Sequence, residues 1–158
     1  MKKSLGALAA SINRYVPVLS ITLLGLVVLL SSAMPAAAGS RGWVASCSFI
    51  SSTRLQCDFP VLSPAFNAEI HYATTQCSST GVAFTIQQFQ ISAMPPSGSS
   101  TPIDYQVAGN RPSVGGVANA GAIVAIHVQL NTTTSALIDL SPAPTGTTSC
   151  TASISATF

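Results

Sequence analysis

From residue 39 onward, apolar side chains fall at every second position in one run after another, the pattern of strands with one buried face. Trp43, Ala45, Cys47 and Phe49 share one face of a first strand, and Leu55, Cys57 and Phe59 share one face of a second, with Ser51-Ser52-Thr53 as the turn between them. Ala68, Ile70 and Tyr72 mark a third face, with Glu69, His71 and Ala73 opposite. Val82, Phe84 and Ile86 change phase to Phe89 and Ile91, which predicts a bulge at Gln87-Gln88. Ile103, Tyr105 and Val107 form the next strand. Ala122 to Leu130 is the most apolar strand and is expected to be central, with His127 and Gln129 turned away from Val124, Ile126 and Val128. A short strand, Ala136 to Leu140, precedes a last one in which Cys150, Ala152, Ile154, Ala156 and Phe158 share a face. Segments 94–102, 108–121 and 141–149 are rich in Gly, Pro, Ser, Thr or Asn and are expected to be loops. The pattern predicts an all-β fold: an antiparallel β-sandwich, Ig-like or pilin-like, of about eight short strands.

The first thirty-eight residues follow a different rule. Lys2, Lys3 and Arg14 precede an apolar run from Val18 to Leu30, and Ala36-Ala37-Ala38 offers a small-residue cleavage site before Gly39. This order predicts a cleaved secretory signal peptide over 1–38 and one exported domain over 39–158. A retained anchor would need roughly 20 apolar residues, and the Val18–Leu30 run is shorter and is interrupted by Ser20 and Thr22. The expected location is secreted, periplasmic or at the cell surface, with no membrane association after removal of the signal.

Loss of that segment reverses the sign of the charge. Arg41, Arg54 and Arg111 then stand against Asp58, Glu69, Asp104 and Asp139, a net charge of −1 with no lysine left. A nucleic-acid binder needs clustered Lys and Arg, so that class of partner is excluded. Low net charge on Ser/Thr-rich outer faces favours association, so a protein partner or self-association is expected.

Four cysteines remain, Cys47, Cys57, Cys77 and Cys150, and in an exported chain they predict two disulfides. No C-x-x-C pair points to a metal. A three-residue turn at 51–53 would set Cys47 opposite Cys57 and leave Cys77 for Cys150.

Candidate chemistry is sparse, and nothing calls for a cofactor. Glu69 and His71 project from one face of a strand, and His127 joins them if the two strands are neighbours; such a group could serve a general base or a metal. No G-x-S-x-G elbow accompanies it. Asp58, Asp104 and Asp139 fall at expected strand ends or turns, where Asp caps backbone donors. Trp43, Tyr72 and Tyr105 could stack on a sugar or peptide, but their inward positions favour core packing.

The two ends of the chain carry a resemblance. Cys47, the Leu55-Gln56-Cys57-Asp58-Phe59 element, the strand from Ile70 to Cys77, Gly146-Thr147 and the alternating end Thr151–Phe158 are similar to those of exported β-sandwich subunits of chaperone–usher fimbriae, particularly the spore-coat-U-like secreted proteins. The chain departs from that pattern at Pro60, where the family has Gly after Phe, and at Cys150, where it has an acid. The resemblance implies Cys47 bonded to Cys77 and Cys57 to Cys150. That pairing is preferred because disulfides between adjacent strands need restrictive geometry. It also implies a sandwich completed by a strand from a partner, with the C-terminal strand (Cys150, Ala152, Ile154, Ala156, Phe158) at the receiving edge.

Three functions follow. The first is a non-enzymatic structural or adhesive subunit of a surface assembly, acting through a β-edge or loops. The second is a small extracellular binding module or inhibitor that uses loops 94–102 and 108–121 on a protein or glycan. The third is a hydrolase built on Glu69, His71 and His127.

Overall fold

The computed structural model describes residues 39–60 and 62–158, so the expected signal peptide lies outside the described residues. These residues form nine strands: β1 (Ser40–Ser46), β2 (Ser48–Phe49), β3 (Arg54–Asp58), β4 (Phe66–Ser79), β5 (Thr85–Ala93), β6 (Ile103–Pro112), β7 (Val117–Leu130), β8 (Ser135–Ser141) and β9 (Thr148–Thr157). They build two antiparallel sheets, ordered β1-β9-β4-β7 and β2-β3-β8-β5-β6. None of the described residues belongs to a helix long and apolar enough to cross a membrane.

The alternating residues supply the core. Leu55, Cys57 and Phe59, then Phe84, Ile86, Phe89 and Ile91, then Ala136, Ile138 and Leu140, and finally Cys150, Ala152, Ile154 and Ala156 are all buried in one cluster fed by both sheets, as in a β-sandwich. The β5–β8 register shifts between Ile86 and Gln88, at the position where the phase change predicts a bulge.

Several expectations are corrected. Phe49 and Val82 are exposed rather than inward. The face of β4 switches at His71, with Ala68 and Ile70 buried before it and Ala73, Thr75 and Cys77 buried after it. The register shifts there against both β7 and β9. This bulge turns Tyr72 outward (48% exposed), where unbroken alternation would have put it in the core.

The expected loop at 108–121 shrinks to a tight corner. β6 runs on to Pro112, and β7 begins at Val117 after a two-residue turn in which Gly115 and Gly116 both have positive φ. Gly121, expected in that loop, lies inside β7, where a Cβ would sit 2.6 Å from the Ala73 carbonyl oxygen; glycine there marks close strand approach.

β7 is not central but is the edge of the four-stranded sheet, and β9 is not an edge but lies between β1 and β4. The receiving edge expected at Cys150, Ala152, Ile154, Ala156 and Phe158 is therefore occupied on both sides.

The same topology decides the disulfides, which are Cys47–Cys57 and Cys77–Cys150, not the pairing implied by the resemblance. Because β9 separates β1 from β4, Cys47 and Cys77 are two strand spacings apart, roughly 9–10 Å, beyond the reach of about 7 Å for a bridge. Cys77 and Cys150 face each other in register on β4 and β9. The hairpin from β2 to β3, with Ser48 opposite Gln56, brings Cys57 back to Cys47.

Candidate functional site

The row of outward side chains nearest the C-terminus gathers the titratable residues singled out above. Glu69 pairs in register with His127 on β7 and with Thr157 on β9. Glu69 Oε1 lies 3.6 Å from His71 Nδ1, and Glu69 Oε2 lies 3.9 Å from His127 Nε2. His71 Nε2 lies 2.7 Å from Thr157 Oγ1 in a hydrogen bond. Sheet pairing thus unites Glu69, His71 and His127 and adds Thr157, a partner that the sequence alone does not indicate.

A hydroxyl, an imidazole and a carboxylate in line have the outline of an activated nucleophile. The surroundings do not develop it. The adjoining depression, about 510 Å³, is lined by Glu69, His127, Thr157 and Pro96 but not by His71. The imidazole that would act as base therefore lies outside this hollow. The cluster ties β7, β4 and β9 together across the sheet surface. No group of three or more potential metal ligands occurs among the described residues.

Asp139 is also placed differently from its expected position at a strand end. It sits within β8 opposite Arg54 of β3, and the two form a bidentate pair, Nε to Oδ1 at 2.6 Å and Nη2 to Oδ2 at 2.7 Å. The hydrogen bond to Asp139, followed by its charge, raises the Arg54 pKa above the ordinary arginine value.

The sheet edges differ sharply from one another. β2 is two residues long. β1 is seven residues long and carries Arg41. β6 carries Asp104, Arg111 and Pro112 and a register shift beyond Phe89. Charge, proline, bulges and shortness are the usual means of blunting an edge. β7 has fourteen residues, no proline and no Asp, Glu, Lys or Arg; its one such feature is the bulge opposite His71.

On the side away from β4, the β7 backbone is met at Val117 by Val114 and at Gln129, whose N–H donates to the Met94 carbonyl at 2.8 Å. Arg111 stands near Asn119–Gly121. Residues 122–128 have no strand partner on that side among the described residues, and Ile123 is 87% exposed there.

No family model matches the chain, nor does any curated protein or solved structure.

Proposed function

We propose that this chain is a secreted, non-enzymatic structural or adhesive subunit of a surface assembly, and that it docks through the β7 edge onto a strand of a second copy. The observation that carries this reading is the contrast among the edges: β7 alone combines length with a lack of charge and proline over 122–128. Strand addition at such an edge draws affinity from main-chain hydrogen bonds and register from alternate side chains. A second copy suits the edge because two uncharged β7 strands meet without like-charge repulsion. Two disulfides fit an oxidising compartment outside the cytosol. The mode is the one implied by the resemblance to chaperone–usher and spore-coat-U-like subunits, with the receiving edge moved from β9 to β7.

Sedimentation of the oxidised protein over a range of concentrations tests the reading. Dimers should form with rising concentration, and Ile123→Lys or Ala125→Lys, both at exposed positions, should return the protein to monomer. A wild-type chain that stays monomeric throughout, or lysine variants that associate as well as wild type, would overturn it.

A further inference from the structure

The outer face of the four-stranded sheet is arranged in rows. Gly42, Ser155, Tyr72 and Ile123 face one another across β1, β9, β4 and β7; Val44, Ser153, Thr74 and Gly121 form the next row, and Ser46, Thr151, Gln76 and Asn119 the one after. The middle row is low where Gly121 has no side chain and Ser153 and Thr74 are small. Tyr72 rises on one side of it, and Gln76 and Asn119 rise on the other. The result is a groove of about 670 Å³, closed towards β7 by Arg111 from the other sheet. That volume lies within the range of about 300–1,000 Å³ typical of small-molecule sites.

We propose that this groove binds an oligosaccharide bearing carboxylate groups. Tyr72 is the first element of the case: the β4 bulge takes its ring out of the core and leaves it half exposed at the rim, as bulges beside binding sites do. An exposed aromatic face with a polar tip suits the apolar face of a sugar ring. The floor and far wall are the second. Thr74 Oγ1 and Ser153 Oγ are hydrogen-bonded at 2.6 Å, so whichever accepts keeps its own proton for a ligand. Gln76 and Asn119 bring amides, each offering donors and an acceptor to neighbouring sugar hydroxyls.

Charge is the third. Among the described residues Arg111 is the one formally charged group lining the groove, and no carboxylate lines it. A guanidinium in that position recognises a planar carboxylate through paired N–H donors. This binding uses side chains on the sheet face together with Arg111 beside Asn119–Gly121, and leaves the 122–128 stretch proposed for edge docking free.

Calorimetric titration of the folded, oxidised protein with tri-galacturonate, and with its methyl ester as the uncharged match, tests the proposal. Wild type should bind the acid about tenfold or more tightly than the ester, and Arg111→Gln should remove that difference. Tyr72→Ala should weaken both about tenfold, and Gln76→Ala both severalfold, with melting temperatures unchanged because all three side chains lie at the surface. Ala125→Lys, which removes edge docking, should leave the affinities as in wild type. Absence of saturable binding, equal affinity for acid and ester in wild type, or a folded Tyr72→Ala protein that binds normally would overturn the proposal.

Discussion

Phe158 packs its ring at 5.1 Å from that of Phe66 and 6.4 Å from that of Trp43, over Gly39, and its backbone exchanges two hydrogen bonds with Gly39 at 2.9 and 3.0 Å. A half-exposed terminal residue thereby closes the end of the β1–β9 pair. Aromatic pairs contribute about 0.5–1.5 kcal/mol beyond their buried area. Phe158→Ala is expected to cost about 1–2 kcal/mol in urea unfolding and to shift the emission of Trp43, the one tryptophan in the chain, towards the red. Arg54 and Asp139 make a smaller contribution. Both are partly solvent-exposed, so Asp139→Asn should cost at most about 1 kcal/mol and less at high salt. The Arg54 pKa is raised, so its contribution is fully present below the ordinary arginine value and is lost only above it; mild alkali should leave the pair intact.

At the scale of elements, the disulfides are the sharpest test of the topology. Tryptic cleavage leaves Cys57, Cys77 and Cys150 in one peptide, because Pro112 follows Arg111, so either pairing would link the same two fragments. Adding cleavage after Glu69 separates Cys57 from the other two. Without reduction, peptides 42–54 and 55–69 should run as one linked pair, and 70–158 as a separate peptide closed by its own internal bond. The two bonds should also differ in weight. The Cys77–Cys150 bond spans 73 residues and the Cys47–Cys57 bond spans 10. In the chain-entropy model these correspond to roughly 4 and 3 kcal/mol, so Ser replacement of the first pair should lower the urea midpoint more.

What could be read from the residues alone follows the same division. Faces set by unbroken alternation, such as Leu55/Cys57/Phe59 and Cys150/Ala152/Ile154/Ala156, need no knowledge of neighbours. Tyr72, Gly121 and the choice of bonds depend on which strands lie side by side. The β4 bulge exists only relative to β7 and β9, and Gly121 is required only because Ala73 approaches it. The central place expected for Ala122–Leu130 fails for a related reason: an apolar composition does not report that the strand lies at a sheet edge. The Glu69, His71 and His127 cluster was legible conditionally, because register alone decides whether β4 and β7 meet.

The whole molecule joins these elements into a load path. β1 and β9 are antiparallel neighbours, so a pull on the two chain ends peels them apart from Gly39 and Phe158 inward. Peeling stops where Cys47 and Cys150 lie side by side, with the Cys47 N–H donating to the Cys150 carbonyl at 3.0 Å. From there the force crosses Cys47–Cys57, follows the backbone to Cys77 and leaves through Cys77–Cys150, bypassing the 73-residue loop that contains β5 to β8. In a chain beginning at residue 39, only about thirty-six residues can then extend, roughly 130 Å at about 3.6 Å each, against roughly 430 Å once the bonds are reduced. Single-molecule stretching from the termini should show the short extension under oxidising conditions and the long one with reductant. The segment between Cys77 and Cys150, which includes β7, would itself carry no tension, although β4, the strand that pairs with β7, lies on the load path. An oxidised chain that extends to the full reduced length would show that the staples do not carry the load, and would remove the mechanical case for the pairing described here.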